Sequence, residues 1–232
     1  MTDQFEGFKA DFWQFFRDLK QNNNREWFAE NKERYKDTVV APVSAFISAV
    51  APALRDISRH YNADPRPNKG SMFRIYRDVR FSKDKRPYKE HAAAQFRHHM
   101  GKDAHAPGFY VHLEEGNIIY GGGIWTPPSD ALGKIRQRIV DKPNKWQAVI
   151  SDKGICDQFG GIRGDGLKRP PRGFDADSPH MDDLKRKSFF AMKNLGDTDV
   201  VMTSSFVDEV ISTFEVATPL MHFISDAVNV EF

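Results

Sequence analysis

Apolar residues recur at three- and four-residue steps at the start of the chain. Phe5, Phe8, Phe12, Phe15, Phe16 and Leu19 predict an amphipathic helix over residues 4–20. "QNNN" ends it. Asn24 is placed to cap a second helix, "REWFAENKERYKD", its carboxamide oxygen accepting an orphan N–H. A third helix begins at Pro42 and runs to about Arg59, with Val43, Phe46, Ile47, Val50 and Leu54 inward. Pro52 is expected to bend or break it. "NADPRPNKGS" reads as a loop.

The period then changes. "MFRIY", "AAAQFRHHM", "GFYVHLEE" and "NIIYGGGIW" are short, and most are rich in β-branched or aromatic residues. Turn sequences separate them, which predicts a meander of antiparallel strands. Glu115-Gly116-Asn117 suits a tight hairpin. After "TPPSD" the helical period returns, with Ser129 as a cap and Leu132, Ile135 and Ile139 in a stripe. Trp146, Val149 and Ile150 follow Pro143 as a second stripe. "GGIRGDGLKRPPRGFDADSP" is a long polar loop, and Ser178-Pro179 marks a helix start. "SFFAM" reads as a late strand. Ser205 is expected to cap a helix carrying Phe206, Val210, Ile211 and Phe214, which Pro219 interrupts. Helices, then strands, then helices predict one α+β domain over residues 1–232. Its parts are helical 1–62, a β-meander 71–126 packed by the carboxy-terminal helices, and a helical and loop region 127–232.

Composition adds compartment and charge. The 232 residues are 40% apolar and carry a formal net charge of +2, which argues against a protein built to coat nucleic acid. One cysteine, Cys156, cannot make an internal disulfide and fits a reducing cytoplasm. "MTDQFEGFKADF" has no apolar core of a signal peptide. "TVVAPVSAFISAVAPAL" reads as too short to cross a bilayer, so no membrane association is expected.

The charge is unevenly placed. Arg66 to Lys102 holds eleven basic and three acidic residues, so this window carries +8 and the remainder −6. Its centre, "MFRIYRDVRFSKDKRPYKEH", packs seven Lys or Arg into twenty residues. Alternation places Phe73, Ile75, Val79 and Phe81 inward and Arg74, Tyr76, Asp78 and Arg80 on the other face. Arg74, Arg77, Arg80, Lys83, Lys85 and Lys89 are the candidate anion ligands, because guanidinium forks and ammonium groups both take phosphate or carboxylate oxygens. Asp78, Tyr88 and His91 are the groups nearby that could handle a proton. Lys168, Arg169 and Arg172, in a loop stiffened by Pro170 and Pro171, form a second basic patch that could close on the same ligand. The competing reading pairs the cations with carboxylates such as Glu26, Glu30, Glu33 or Asp37.

Gly121-Gly122-Gly123 permits close backbone or ligand approach and more often marks a sheet bend. No GxGxxG opens a helix and no P-loop is present. His98, His99, His105 and His112 fall within fifteen residues, and His98 and His112 could be cross-strand neighbours. No HExxH or CxxC accompanies them, so they read as polar surface histidines and no metal site is assigned. Nothing in the pattern names a cofactor or an oligomeric state.

"GFxxDFxxFFxDLxxNNNREWFxxNKxRY", "RDVRFSKDKRPYK", "GGGIWTP" and "LKRPPRGFDADSPHMDDLKRKSFF" together resemble the domain of unknown function 2461 family over nearly the whole chain. The resemblance implies one globular unit and a signature that adds Asn23, Asn24, Trp27 and Phe28 to the basic stretch, with Asn24 and Trp27 as further ligand candidates. It implies that the first helix junction faces the basic stretch, and it carries no catalytic residue. Three functions stay open: binding of, and action on, a small phosphate- or carboxylate-bearing ligand; a nucleic-acid-binding module; and a structural charge network with a protein-partner surface.

Overall fold

The structure is a computed structural model that describes residues 4–100, 107–196 and 199–232. Helices α1 (Ala10–Gln21), α2 (Arg25–Glu30), α3 (Lys32–Tyr35) and α4 (Ala41–Ile57) precede the strands β1 (Tyr61–Asn62), β2 (Ala92–His98), β3 (Gly108–Glu114) and β4 (Asn117–Ile124). Helices α5 (Ser129–Asp141), α6 (Pro143–Ile150), α7 (Lys153–Phe159) and α8 (Met181–Leu184) lead to β5 (Phe189–Asn194), then α9 (Phe206–Val216) and α10 (Thr218–Ala227). The strands form one antiparallel sheet in the order β1-β2-β3-β4-β5. The fold is α+β, with helices at both ends of the chain.

Alternation sorts the sheet into two faces. Phe96 lies opposite Phe109 and Ala94 opposite Val111, and these residues are buried. Phe109 stacks on Phe214 of α9, and Tyr120 meets Phe206 edge to face. The phenylalanines of α1 enter the same core, where Phe8, just ahead of that helix, and Phe46 of α4 both contact Phe206. The buried apolar cluster runs from Phe5 to Ala227. Burying such side chains contributes about 1.5–3 kcal/mol each against an exposed reference.

The glycine triplet has a steric cause. A Cβ on Gly121 would lie 2.0 Å from the Ala191 carbonyl oxygen, and one on Gly123 would lie 2.3 Å from that of Phe189. Only glycine lets β5 approach β4 so closely. It is therefore backbone approach, not a ligand contact, that requires glycine at 121 and 123.

Several expectations are corrected. The first helix begins at Ala10, not residue 4, because Phe5 and Phe8 reach the core from an extended lead-in. Asn24 does cap α2, accepting the Trp27 N–H at 3.0 Å. Ser129 and Ser205 make no capping bond; Ser129 is already helical behind Pro128. Pro52 sits within α4 without breaking it. Val43, Phe46, Ile47, Val50 and Leu54 anchor that helix in the core. A wide turn at Lys36–Val40 joins α3 to α4. The joined helix Lys32–Ile57 is long and apolar enough to cross a membrane by length and composition, contrary to the shorter reading of the sequence. "MFRIY" is not a strand of the sheet: among the described residues its β pairing is limited to isolated bridges, Met72 to Ala94 and Tyr76 to Tyr88.

Candidate functional site

Residues 71–91 form an arm along β2, beside the part of that strand that the short β1 does not reach. The Phe73 N–H donates to the Ala93 carbonyl and the Gln95 N–H to the Ser71 carbonyl. The arm folds back on itself through Arg77 N–H to Pro87 O and Lys89 N–H to Ile75 O. Asn23 clamps it from the α1–α2 junction, donating to the Tyr88 carbonyl and accepting the Tyr88 N–H. Phe28 stacks on the buried Tyr88 ring at 4.1 Å. The helix junction thus does face the basic stretch.

The arm's acids serve its own arginines. Arg80 grips Asp78 with two bonds, 2.9 and 2.7 Å. Arg86 does the same to Asp84, which also takes Arg77 at 2.7 Å, and Arg86 reaches Glu90 at 2.6 Å. Asp64 and Arg66 repeat the motif. The two-residue spacing D-x-R, in "DPR", "DVR" and "DKR", was the signal in the sequence for these forks. Among the described residues no ion pair links the arm to Glu26, Glu30, Glu33 or Asp37. The guanidinium beside it lowers the Asp78 carboxyl to about 2. Arg86 first and Arg77 second hold Asp84 well below the usual carboxylate range. The Arg80–Asp78 pair is exposed and the others are half-exposed, so each contributes modestly to stability.

The other four cations of the arm have no carboxylate among the described residues. Lys85 bonds the Val79 carbonyl, and Arg74 and Lys83 are exposed. Lys89 is half-buried. Its ammonium donates to the Arg74 carbonyl at 2.7 Å and lies 5.3 Å from the Phe73 ring centroid, a cation–π distance. Burial, and then the Arg74 charge, lower its proton affinity. Phe81, placed inward by alternation, is instead 95% exposed, because the arm is not a sheet strand and no pleat carries the alternation through to it.

The candidates divide spatially. Lys89 and His91 lie where the arm enters β2, beside the outer sheet face. Lys168, Arg169 and Arg172 are exposed in a loop beyond β5, which the Arg163–Phe190 bridge attaches to the opposite edge. Four strand spacings, roughly 19 Å, separate β1 from β5, so the two basic segments attach at opposite edges of the sheet. Asn24 is committed to its cap, Trp27 packs against Phe15, and the Tyr88 ring belongs to the core. Burial, and then Tyr76, raise the Tyr88 phenol.

The outer face of the sheet carries a polar row of which only His112 stood out in the sequence. Tyr110, His112 and Glu114 share that face at two-residue spacing; the alternation in "YVHLE" was its signal. Tyr110 Oη lies 3.2 Å from His112 Nδ1, and Glu114 Oε2 lies 3.2 Å from His112 Nε2. Asn117 donates to the same carboxylate oxygen. His91 brings its ring centroid to 4.3 Å from that of His112. His91 is lowered to about 4, by burial first, then the His112 charge, with Lys89 and Arg77 adding and Glu114 opposing. Burial pushes the Tyr110 phenol up to about 12.

His98 and His112 are not cross-strand neighbours: Ala93 faces His112, and Tyr61 faces His98. Nor is His98 a surface group, being 1% exposed. It stacks with His60 and His99 beneath the chain terminus. His105 lies outside the described residues.

Fold and site define an α+β protein on an antiparallel sheet, with one face packed by helices and the other bordered by a basic arm and a histidine–carboxylate row. Residues 11–223 match the family model described as Conserved hypothetical protein (DUF2461), and the chain belongs to that family. No curated protein and no solved structure matches it.

Proposed function

We propose that the protein binds a small anionic ligand, phosphate- or carboxylate-bearing, at the end of the arm where Arg74, Lys89 and His91 meet the outer sheet face. The observation that carries this reading is the half-buried Lys89 ammonium, which has no carboxylate among the described residues although Arg74 stands beside it. A cation partly removed from water gains most from an external anion. The arm's acids are already taken by Arg77, Arg80 and Arg86. Lys83 and Lys85 extend the positive field along the arm and would draw the ligand in.

The test is a thermal shift and calorimetric titration with inorganic phosphate and with citrate, against chloride at equal ionic strength. Stabilisation by either anion, lost in Lys89→Met and weakened in Arg74→Ala, supports the reading. No shift at millimolar anion overturns it.

One observation favours a second reading, a single-stranded nucleic-acid surface. Phe81 is 95% exposed and Tyr76 57% exposed, with the Arg80 guanidinium 5.8 Å from the Phe81 ring centroid. Exposed rings among cations suit base stacking. Labelled oligonucleotides titrated at two salt concentrations separate the readings. Binding that weakens with salt and is lost in Phe81→Ala supports this one; no binding at low salt removes it.

A further inference from the structure

The row on the outer sheet face holds donors of metal-ligand type, and we propose that His91, His112 and Glu114 form a binding site for a divalent first-row transition metal, zinc by preference. One ligand atom from each of the three lies within 4.8 Å of the other two. His112 Nε2 and Glu114 Oε2, 3.2 Å apart, already stand near the ligand–ligand edge of about 3.3 Å that a tetrahedral zinc with bonds of 2.0–2.1 Å imposes. His91 makes no hydrogen bond among the described residues, so its imidazole nitrogens are available for an ion. Two imidazoles and a carboxylate are the donor set of zinc and related sites that leave positions open for an external ligand.

The surroundings fit that role. With an ion bound, Nδ1–H would donate to Tyr110 Oη and the Nε2 lone pair, which faces Glu114, would go to the metal. A bond to the far ring nitrogen of this kind orients metal-binding histidines and fixes their tautomer. Asn117 holds the Glu114 carboxylate from the start of β4. The three donors come from the entry to β2 and from β3, two strands paired in continuous register, so the sheet sets their spacing. His112 is 13% and Glu114 38% exposed in their side chains, which leaves an approach from solvent.

A rival cluster, His60, His98 and His99, has equally close nitrogens but is already occupied. His98 Nδ1 accepts the Met100 N–H at 3.2 Å and Nε2 bonds the Glu231 carbonyl at 2.7 Å, so neither ring nitrogen remains for a metal. His99 Nδ1 is bonded to the His60 carbonyl.

A dication here would stand beside the Lys89 and Arg77 charges. An anion in the open coordination position would relieve that repulsion. This extension rests on the anion-binding reading; the metal site itself does not.

The test uses the full chain, stripped with a chelator and titrated with zinc chloride in a non-coordinating buffer, with cobalt(II) absorption as a report on geometry. One zinc per chain is expected. Its affinity should fall at least tenfold in His91→Ala and in Glu114→Gln, fall roughly tenfold in Tyr110→Phe, and stay unchanged in His99→Ala. Glu114→Gln keeps shape and volume, and its metal-free melt compared with wild type separates lost ligation from lost fold. Absence of stoichiometric zinc binding, or binding that survives both His91→Ala and Glu114→Gln, overturns the proposal. A cobalt spectrum that changes with acetate, and less so in Lys89→Met, supports the anion in the open position. Zinc binding without any acetate response removes only that extension.

Discussion

The Asn23 carboxamide holds both backbone polar groups of Tyr88, donating to its carbonyl at 3.0 Å and accepting its N–H at 3.1 Å. A side chain here does what a neighbouring strand would do, and it ties the α1–α2 junction to a segment with almost no regular hydrogen bonding of its own. Asn23→Ala leaves two part-buried backbone groups without a partner, which costs about 1–3 kcal/mol. A urea unfolding curve should show this loss. A midpoint equal to wild type would mean that the clamp contributes nothing.

Phe28 supplies the apolar half of the same junction, stacked on Tyr88 and 4% exposed. Phe28→Ala should destabilise by about 3–5 kcal/mol. Arg80→Ala should leave the melting temperature within error of wild type, because its fork with Asp78 is solvent-exposed. A marked fall in Arg80→Ala would instead favour the structural charge-network reading of the arm.

Asp84 gives the arm a dependence on acid. Its folded carboxyl is depressed by Arg86 and Arg77, while the unfolded value is near 4. A depressed group adds stability that is complete above the unfolded value and is lost as pH falls through the folded one. Wild type and Asp84→Asn should therefore differ in melting temperature near neutrality and converge in strong acid. The gap should be small and shrink with salt, since the pair is exposed. A gap that stays constant down to about pH 2 contradicts the assignment.

At the other end of the scale, burial pushes the Tyr61 phenol up to about 12, with a bond to Ser225 opposing. The neutral phenol is the favoured form in the fold. This contribution is complete below about pH 10, the unfolded value, and is lost as pH rises through 12. An ultraviolet titration of phenolate should show several late tyrosines, Tyr110 among them, and one fewer in Tyr61→Phe. Ionisation of every tyrosine near 10 in the folded chain would refute it.

Two glycines should respond in opposite ways to alanine. Gly133 lies within α5 with nothing inside 4 Å of an added Cβ, so Gly133→Ala should stabilise by about 1 kcal/mol. Gly121→Ala would drive its Cβ to within 2.0 Å of the Ala191 oxygen and should separate β4 from β5, with a large fall in melting temperature. Equal melts for the two variants would refute the close approach.

Much of this protein could be read along the chain because its determinants are local. The three- and four-residue spacing of Phe12, Phe15, Phe16 and Leu19 marked a helix; Asn24 marked its successor; Gly116 marked a hairpin. The D-x-R forks are local too, since two residues of backbone suffice to bring Arg80 onto Asp78. What the sequence by itself determined is thus the order of the helices and sheet strands, their inward faces and the placing of charge, but not the arm, where alternation put the exposed Phe81 inward. Register and the return of distant segments were decided by the tertiary structure. Only strand pairing puts Ala93, not His98, opposite His112, and only the entry of the arm into β2 brings His91 onto that face. Likewise only the sheet order attaches the loop of Lys168, Arg169 and Arg172 at the β5 edge, opposite the one that carries the arm. Such relations depend on which strands pair and where they slide to, and a slip of one residue would reverse every face.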